Sequence, residues 1–353
     1  MGKLAVYKYF SFMILVITVL TAIFTICGLF GGNQNPATST FLAMLVYVLP
    51  LLVIANVILL VFWLIRRRWH WMAIPAVTLL CCIPYILTIY QPPFFQSSNE
   101  GKSGIKVATY NVAAFGREIT GFKAEDILSE MKRQKADILC IQEYLEKSGD
   151  RHNSDSYKEY FSFMAKGRDD MAVFSRYPIK GSDIIDFGPT NNSGMWADVE
   201  INGRTIRIVN VHMETTGFNR TLHKVAKLSA QGTHIEENAI IRAIYGNYTL
   251  GMIARAGQSN MVAQVIRESP HPVIVCGDLN DVPYSYTYNT VKGDLVDGFK
   301  ECGKGFMSTF RGKKKVRIDY IFHDESLSGE KYYVQELSYS DHYPVFMRIS
   351  LQK

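Results

Sequence analysis

Ser340-Asp341-His342-Tyr343-Pro344-Val345, near the C-terminus of a 353-residue chain, is the stretch from which the rest of the sequence can be read. An acid and an imidazole stand side by side there, just before an apolar run. Four further clusters repeat the arrangement: Tyr110-Asn111-Val112, Ile141-Gln142-Glu143, Gly277-Asp278-Leu279-Asn280 and Arg317-Ile318-Asp319-Tyr320. Each begins or ends an apolar run that reads as a strand, which puts its polar groups at a strand end beside a cleft. Ile105 to Ala114, Asp137 to Glu143, Met171 to Ser175, Met195 to Ile201, Thr205 to His212, Pro272 to Cys276, Val316 to Phe322 and Val345 to Leu351 all read as strands, many apolar throughout and hence buried. Phe122 to Lys135 has a helical period with Ile127, Leu128 and Met131 on one face, and Leu222 to Glu268 has room for two or more helices. Strand runs with few helices between them predict a two-sheet core covered by helices.

Upstream of these clusters the composition changes. Tyr9 to Phe30, Phe41 to Ile65 and Trp71 to Tyr90 carry no charged residue, and each is long enough to cross a hydrocarbon core of about 30 Å. Residues 1–90 therefore read as a membrane anchor of three transmembrane helices, 91–104 as a linker rich in proline, serine and glycine, and 105–353 as a separate domain. Trp63, Trp69, Trp71 and Tyr90 lie near the span ends, where aromatic rings favour the interface. Residues 1–104 hold six Lys/Arg against one acid, Glu100, so most of the +6 formal charge belongs to the anchor and linker. The basic balance is thus no sign of a nucleic-acid surface on the domain. Cys140 and Cys276 fall inside apolar strand patterns and read as small buried hydrophobes.

The chemistry sits at the strand ends. Asn111, Glu143, Asp278, Asn280, Asp319, Asp341, His212 and His342 are oxygen or imidazole side chains. A hard cation such as Mg²⁺ takes carboxylate and carbonyl oxygens and keeps several waters, so a few acids with an amide form an incomplete cage open to a phosphate oxygen. A histidine beside an acid can exchange a proton while the acid fixes its tautomer. His271 and His323, with His152, His223 and His234, read as surface or loop residues, and Lys313-Lys314-Lys315 as a solvated hairpin tip.

In order along the chain, Thr-Tyr-Asn, Ile-Gln-Glu, Ser-Arg-Tyr-Pro-Ile, Val-Asn-Val-His, Gly-Asp-Leu-Asn, Arg-Ile-Asp-Tyr-Ile-Phe and Ser-Asp-His resemble the metal-dependent endonuclease/exonuclease/phosphatase (DNase I-like) superfamily over about residues 105–353. Arg255 and Gln258 look like that family's Arg-x-x-Gln pattern. The resemblance implies a four-layer α/β sandwich with two central mixed β-sheets and the site at one end of them. It implies Glu143 as principal ligand of Mg²⁺ or Mn²⁺, with Asn111 and Asp341 completing the site. Asp278 would orient or deprotonate the attacking water, Asn280 would hold a phosphate oxygen, His342 would pair with Asp319, and His212 would contact the phosphate or assist the leaving group. The implied activity is phosphoester hydrolysis, as a phosphodiesterase or phosphatase outside the cytoplasm, with a lipid among the candidate substrates. An anchored nuclease acting on external nucleic acid is the alternative, and a non-catalytic phosphate-binding module is a third reading. Val112-Ala113 follows Asn111 where abasic-site enzymes place an acid two residues on, which argues against that nuclease subgroup.

Positive loops stay in the cytoplasm, and Arg66-Arg67-Arg68 lies between the second and third spans while Gly31 to Thr40 carries no charge. Three crossings then put everything after Tyr90 outside, periplasmic or extracellular. A protease added to intact spheroplasts is expected to cut the domain without lysis. Protection until the membrane is broken would contradict this orientation.

Overall fold

The structure, a computed structural model, describes residues 3–93, 104–116, 124–144, 154–168, 171–216, 225, 227, 237–312 and 315–351. Two helices, α1 (Lys3–Gly31) and α2 (Thr40–Ile65), are long and apolar enough to cross a membrane. Polar side chains join them where no water competes: Asn56 Nδ2 donates to Thr25 Oγ1 at 2.8 Å, and Trp63 Nε1 donates to Thr18 Oγ1 at 2.9 Å. The expected third span is not one continuous helix. It is a pair, α3 (Trp69–Cys81) and α4 (Ile83–Ile89), bent by 49°. Pro84 is the cause, since its ring has no N–H to give and would clash with the Leu80 carbonyl in a continuous helix.

After α4 the short strand β1 (Tyr90–Gln91) pairs with β11 (Gly305–Phe306), so the segment read as linker begins as part of a sheet. Residues 94–103 and Lys313-Lys314 lie outside the described residues, as do His152, His223 and His234.

The C-terminal domain holds two six-stranded mixed sheets. The first contains β2 (Ile105–Asn111), β3 (Ile138–Gln142), β4 (Phe163–Lys166), β5 (Met171–Ser175), β13 (Ser328–Val334) and β14 (Val345–Ser350), in the order β13-β14-β2-β3-β5-β4. The second contains β6 (Ile179–Ile185), β7 (Ser193–Ile201), β8 (Arg204–His212), β9 (Val273–Asp278), β10 (Val296–Asp297) and β12 (Asp319–His323), in the order β10-β12-β9-β8-β7-β6. Each sheet has a parallel pair, β2 with β3 and β8 with β9, flanked by antiparallel neighbours.

The helices are α5 (Ala113–Gly116), α6 (Ala124–Gln134), α7 (Ser154–Phe161), α8 (Glu237–Arg267), α9 (Tyr286–Lys292) and α10 (Gly298–Cys302). Three apolar clusters define four layers. Val107, Cys140, Ala197 and Cys276 belong to the core between the sheets. Ile127, Leu128 and Met131 of α6 and Phe161 of α7 cover the first sheet, while Val262 of α8 and Tyr288 and Val291 of α9 cover the second. Cys140 and Cys276 are buried free thiols. Within Leu222 to Glu268 the described residues are helical at Val225 and Lys227 and form one 31-residue helix from Glu237 to Arg267. His323, read as a loop residue, is buried at the end of β12 and meets Glu301 Oε2 at 2.7 Å.

The C-terminal domain sits directly on the N-terminal helices. Gly32 approaches Tyr284 so closely that a Cβ there would overlap the Tyr284 carbonyl oxygen. Arg317 is buried, grips Asp297 through two nitrogens at 2.9 and 3.1 Å, and donates to the Thr88 carbonyl of α4 at 2.9 Å. Removing one partner of such a pair strands a buried charge, so Arg317→Met is expected to destabilise the full chain by about 3–5 kcal/mol. The melting temperature in detergent checks this. A loss no larger than that of an exposed arginine would show that water reaches the pair.

Candidate active site

Strand direction brings the site together. In a parallel pair the C-terminal ends coincide, so Asn111 stands opposite Gln142 and His212 opposite Asp278. Antiparallel β12 starts where β9 ends, pairing Asp319 with Asp278, and the Ser340-Asp341-His342 turn leads into antiparallel β14. All eight expected side chains therefore belong to one end of the two sheets. The turns are held in unusual backbone: Glu143 has φ 55° and Asn280 φ 49°, in the left-handed region that non-glycine residues rarely adopt. Gly277, at φ 138°, packs so tightly that a Cβ would overlap the Val211 carbonyl oxygen.

Asp278 is the hub. Its Oδ1 accepts from the Asn280 backbone N–H at 2.8 Å and its Oδ2 from Asn111 Nδ2 at 3.1 Å, while the same amide nitrogen donates to Glu143 Oε1 at 3.1 Å. His342 Nδ1 lies 2.9 Å from Asp319 Oδ2, and its Nε2 lies 3.7 Å from Asp278 Oδ2. His212 Nε2 is 3.8 Å from Glu143 Oε1 and 4.0 Å from Asp278 Oδ2. Asp278, Asp319 and His342 are buried, whereas Glu143 and Asp341 have side chains 39% and 51% exposed. Burial disfavours a charge on His342, but the Asp319 and Asp278 carboxylates outweigh it and push the imidazole up to about 10. Burial and then the Asp319 carboxylate push Asp278 up to about 6 against the pull of His342 and His212. The arrangement thus keeps an imidazolium beside a carboxylate poised to take a proton.

Several further side chains hold these groups in place. Ser340 Oγ donates to the Asn111 carbonyl at 2.7 Å and accepts from the His342 N–H at 3.1 Å, locking two clusters together. Thr309 Oγ1 accepts from the Asp319 N–H at 3.1 Å. Arg255 and Gln258 act on the chain after His212: Arg255 Nη1 donates to the Glu214 carbonyl at 3.0 Å, and Gln258 Oε1 accepts from the Glu214 N–H at 2.8 Å. Arg176, within Ser-Arg-Tyr-Pro-Ile, is held by Asp137 at 3.0 Å and anchors a loop. The cavity over the site has a volume of about 1530 Å³.

Residues 108–342 match a family model described as the Endonuclease/Exonuclease/phosphatase family. Residues 11–89 match one described as a domain of unknown function. No curated protein matches the chain. An endonuclease/exonuclease/phosphatase from Bacteroides vulgatus superposes with a TM-score of 0.52 at 17% identity, covering 71% of this chain and 100% of its own. Truncated Caenorhabditis elegans TDP2 gives 0.51 at 18% identity, covering 70% and 98%. D. rerio TDP2 complexed with single strand DNA product gives 0.50 at 16% identity, covering 70% and 99%. At these identities the likeness is one of fold, and it extends to the two-sheet sandwich described above.

A carboxyl whose folded value is raised favours the folded state while protonated, and that stability is lost as pH rises through the raised value. For Asp278 the loss falls as pH passes about 6. Asp278→Asn carries no such charge, and Asn111 can still turn its amide to Glu143. With metal chelated, this variant is expected to melt above the native protein at about pH 8, the gap closing below about pH 5. Equal melting temperatures at the higher pH would show that the cluster holds the Asp278 charge without penalty.

Proposed function

The chain belongs to the endonuclease/exonuclease/phosphatase family, and from that membership we propose a membrane-anchored, divalent-metal-dependent phosphoester hydrolase, a phosphodiesterase or phosphatase, working on the extracytoplasmic side. One observation carries the reading: the His342–Asp319 pair stands beside Asp278 and Glu143 where both parallel strand pairs end. The side of the membrane rests on two supports. The domain docks on the ends of α1, α2 and α4, and the basic Arg66-Arg67-Arg68 loop lies at the other end of α2.

Glu143, Asn111 and Asp341 would hold the cation. Their donors are hard oxygens, and the two acids are partly exposed, which leaves room for the waters that Mg²⁺ keeps. Asp278, Asp319 and His342 also bring ligand atoms within 4.8 Å of one another. All three are buried, however, and His342 Nδ1 is already hydrogen-bonded to Asp319. The exposed set is the better cage for Mg²⁺ or Mn²⁺. A cation there supplies Lewis-acid polarisation of a phosphoryl oxygen.

The protein's own groups do the rest. Asp278 orients the attacking water and takes its proton, which its raised value favours. Asn280 and His212 hold phosphate oxygens on either side of it. His342, kept protonated, offers Nε2–H to the charge that builds on the phosphoryl group during in-line attack, and Asp319 fixes the ring.

Two measurements test this together. Glu143→Gln keeps size and hydrogen bonding while removing charge, so calorimetric Mg²⁺ affinity and phosphoester turnover should both fall. His342→Ala and Asp319→Ala should each lower kcat by about 10²–10⁴-fold, as positioned acid–base groups do. The double variant should lose little more than His342→Ala alone, because the two act as one unit. Multiplicative losses, or unchanged metal affinity in Glu143→Gln, would overturn these assignments.

A further inference from the structure

The cavity over the site is not walled by the C-terminal domain alone. Val46, Tyr47 and Pro50 of α2 and Tyr85 and Ile89 of α4 line it, opposite Asn111, Glu143, Asp278 and His342. Its volume of about 1530 Å³ exceeds the 300–1,000 Å³ typical of small-molecule pockets. A phosphate group at the polar end therefore leaves much of the space, including the apolar wall, for something else.

The anchor reaches this position through a specific contact. Tyr47 Oη donates to Asp281 Oδ1 at 2.6 Å, and the fully buried Arg255 meets Asp281 Oδ2 at 3.2 Å. Asp281 directly follows Asn280, so the turn that carries Asp278 and Asn280 is tied to a transmembrane helix. The next residues, Val282 and Tyr284, pack against Val46, Leu49 and Tyr85.

The depth of the wall follows from helix length. A hydrocarbon core takes about 20 helical residues, and counting back from Ile65, beside the basic loop, puts its far boundary near Val46. α1 gives the same plane: the Arg66 guanidinium lies 4.2 Å over the Tyr7 ring, and about 20 residues beyond Tyr7 comes the turn whose Leu29 packs with Val46 and Leu49. The apolar wall thus lies at the edge of the hydrocarbon, with the polar site just above it. That is the level of the phosphate and first methylenes of a bilayer lipid. A nucleic acid would need a row of free cations along its backbone, whereas of the three Lys/Arg residues lining the cavity, Arg168, Lys315 and Arg317, two are paired, with Asp186 at 3.0 Å and Asp297 at 2.9 Å.

We propose that the substrate is a membrane lipid phosphoester, its phosphate among Asn111, Glu143 and His342 and its alkyl part against the Val46, Pro50 and Ile89 wall that the anchor contributes. This rests on the phosphoester-hydrolase reading above.

The test uses the full chain in phosphate-free detergent with Mg²⁺ or Mn²⁺. The probes are methyl, butyl and octyl p-nitrophenyl phosphodiesters, the matching n-alkyl monophosphates, and a single-stranded oligodeoxynucleotide. In whichever ester series is cleaved, kcat/KM is expected to rise at least about tenfold from methyl to octyl, well within the transfer free energy of the added methylenes. Pro50→Trp and Ile89→Trp, which fill the wall from positions with room beside them, and Ile89→Asn, which makes it polar, should each cut the octyl-to-methyl ratio. Circular dichroism identifies the variants that fold. Cleavage without chain-length dependence, a dependence untouched in every folded variant, or faster cleavage of the oligodeoxynucleotide than of the octyl esters overturns the lipid assignment alone. No cleavage of any probe by the native chain overturns the hydrolase reading, and this inference with it.

Discussion

The two sheets are registered to one another by a buried amide pair. Gln142 Nε2 donates to Asn210 Oδ1 at 2.6 Å across the core, and Asn210 Nδ2 donates to the Ile141 and Ala172 carbonyls at 3.0 Å. Both side chains are fully buried. An apolar core packs almost equally well after a small slide, but a buried amide that loses its partner costs about 1–3 kcal/mol, so one register is favoured. Gln142 precedes Glu143 and Asn210 lies two residues before His212. The pair that aligns the sheets thereby sets the separation of Glu143 and His212, whose side chains lie 3.8 Å apart.

Precision at the site is held against opposing terms. Glu143 and Asn280 occupy left-handed backbone, and Asp278 carries a carboxyl that burial and Asp319 make reluctant to ionise. Each lowers stability, and the packing of four layers offsets it. Ser340 and Thr309 fix the polar groups from behind through hydrogen bonds to backbone. Hydroxyls suit that place because each can both donate and accept in a confined space.

The N-terminal helices and the C-terminal domain pack against one another. Two buried arginines join them: Arg255 through the Asp281–Tyr47 contact, and Arg317 through Asp297 and the Thr88 carbonyl. Arg317 belongs to the same cluster as Asp319, so a motif that reads as chemistry is divided between a structural arginine and a site carboxylate. The bend between α3 and α4 lets the chain leave the N-terminal helices beside β11, with Tyr85 and Ile89 of α4 lining the cavity.

The sequence by itself determined the long apolar N-terminal helices, the two-sheet class and which polar side chains gather at the strand ends. Central strands such as β3 are buried at every position, so their apolar runs stand out, and the polar residues that end them stand out by contrast. The break before Pro84 was not legible, because Pro50 and Pro75 lack the same N–H and lie inside unbroken helices. Edge strand β6, with most of its residues exposed or half-exposed, has no such run and was missed. Only the tertiary structure decided that Tyr47 meets Asp281, 234 residues away, and that α2 and α4 help to wall the cavity. Local sequence records which side chains avoid water and where the backbone can turn. Which two distant surfaces meet depends on how the finished sheets and helices fit, and no short stretch of chain carries that information.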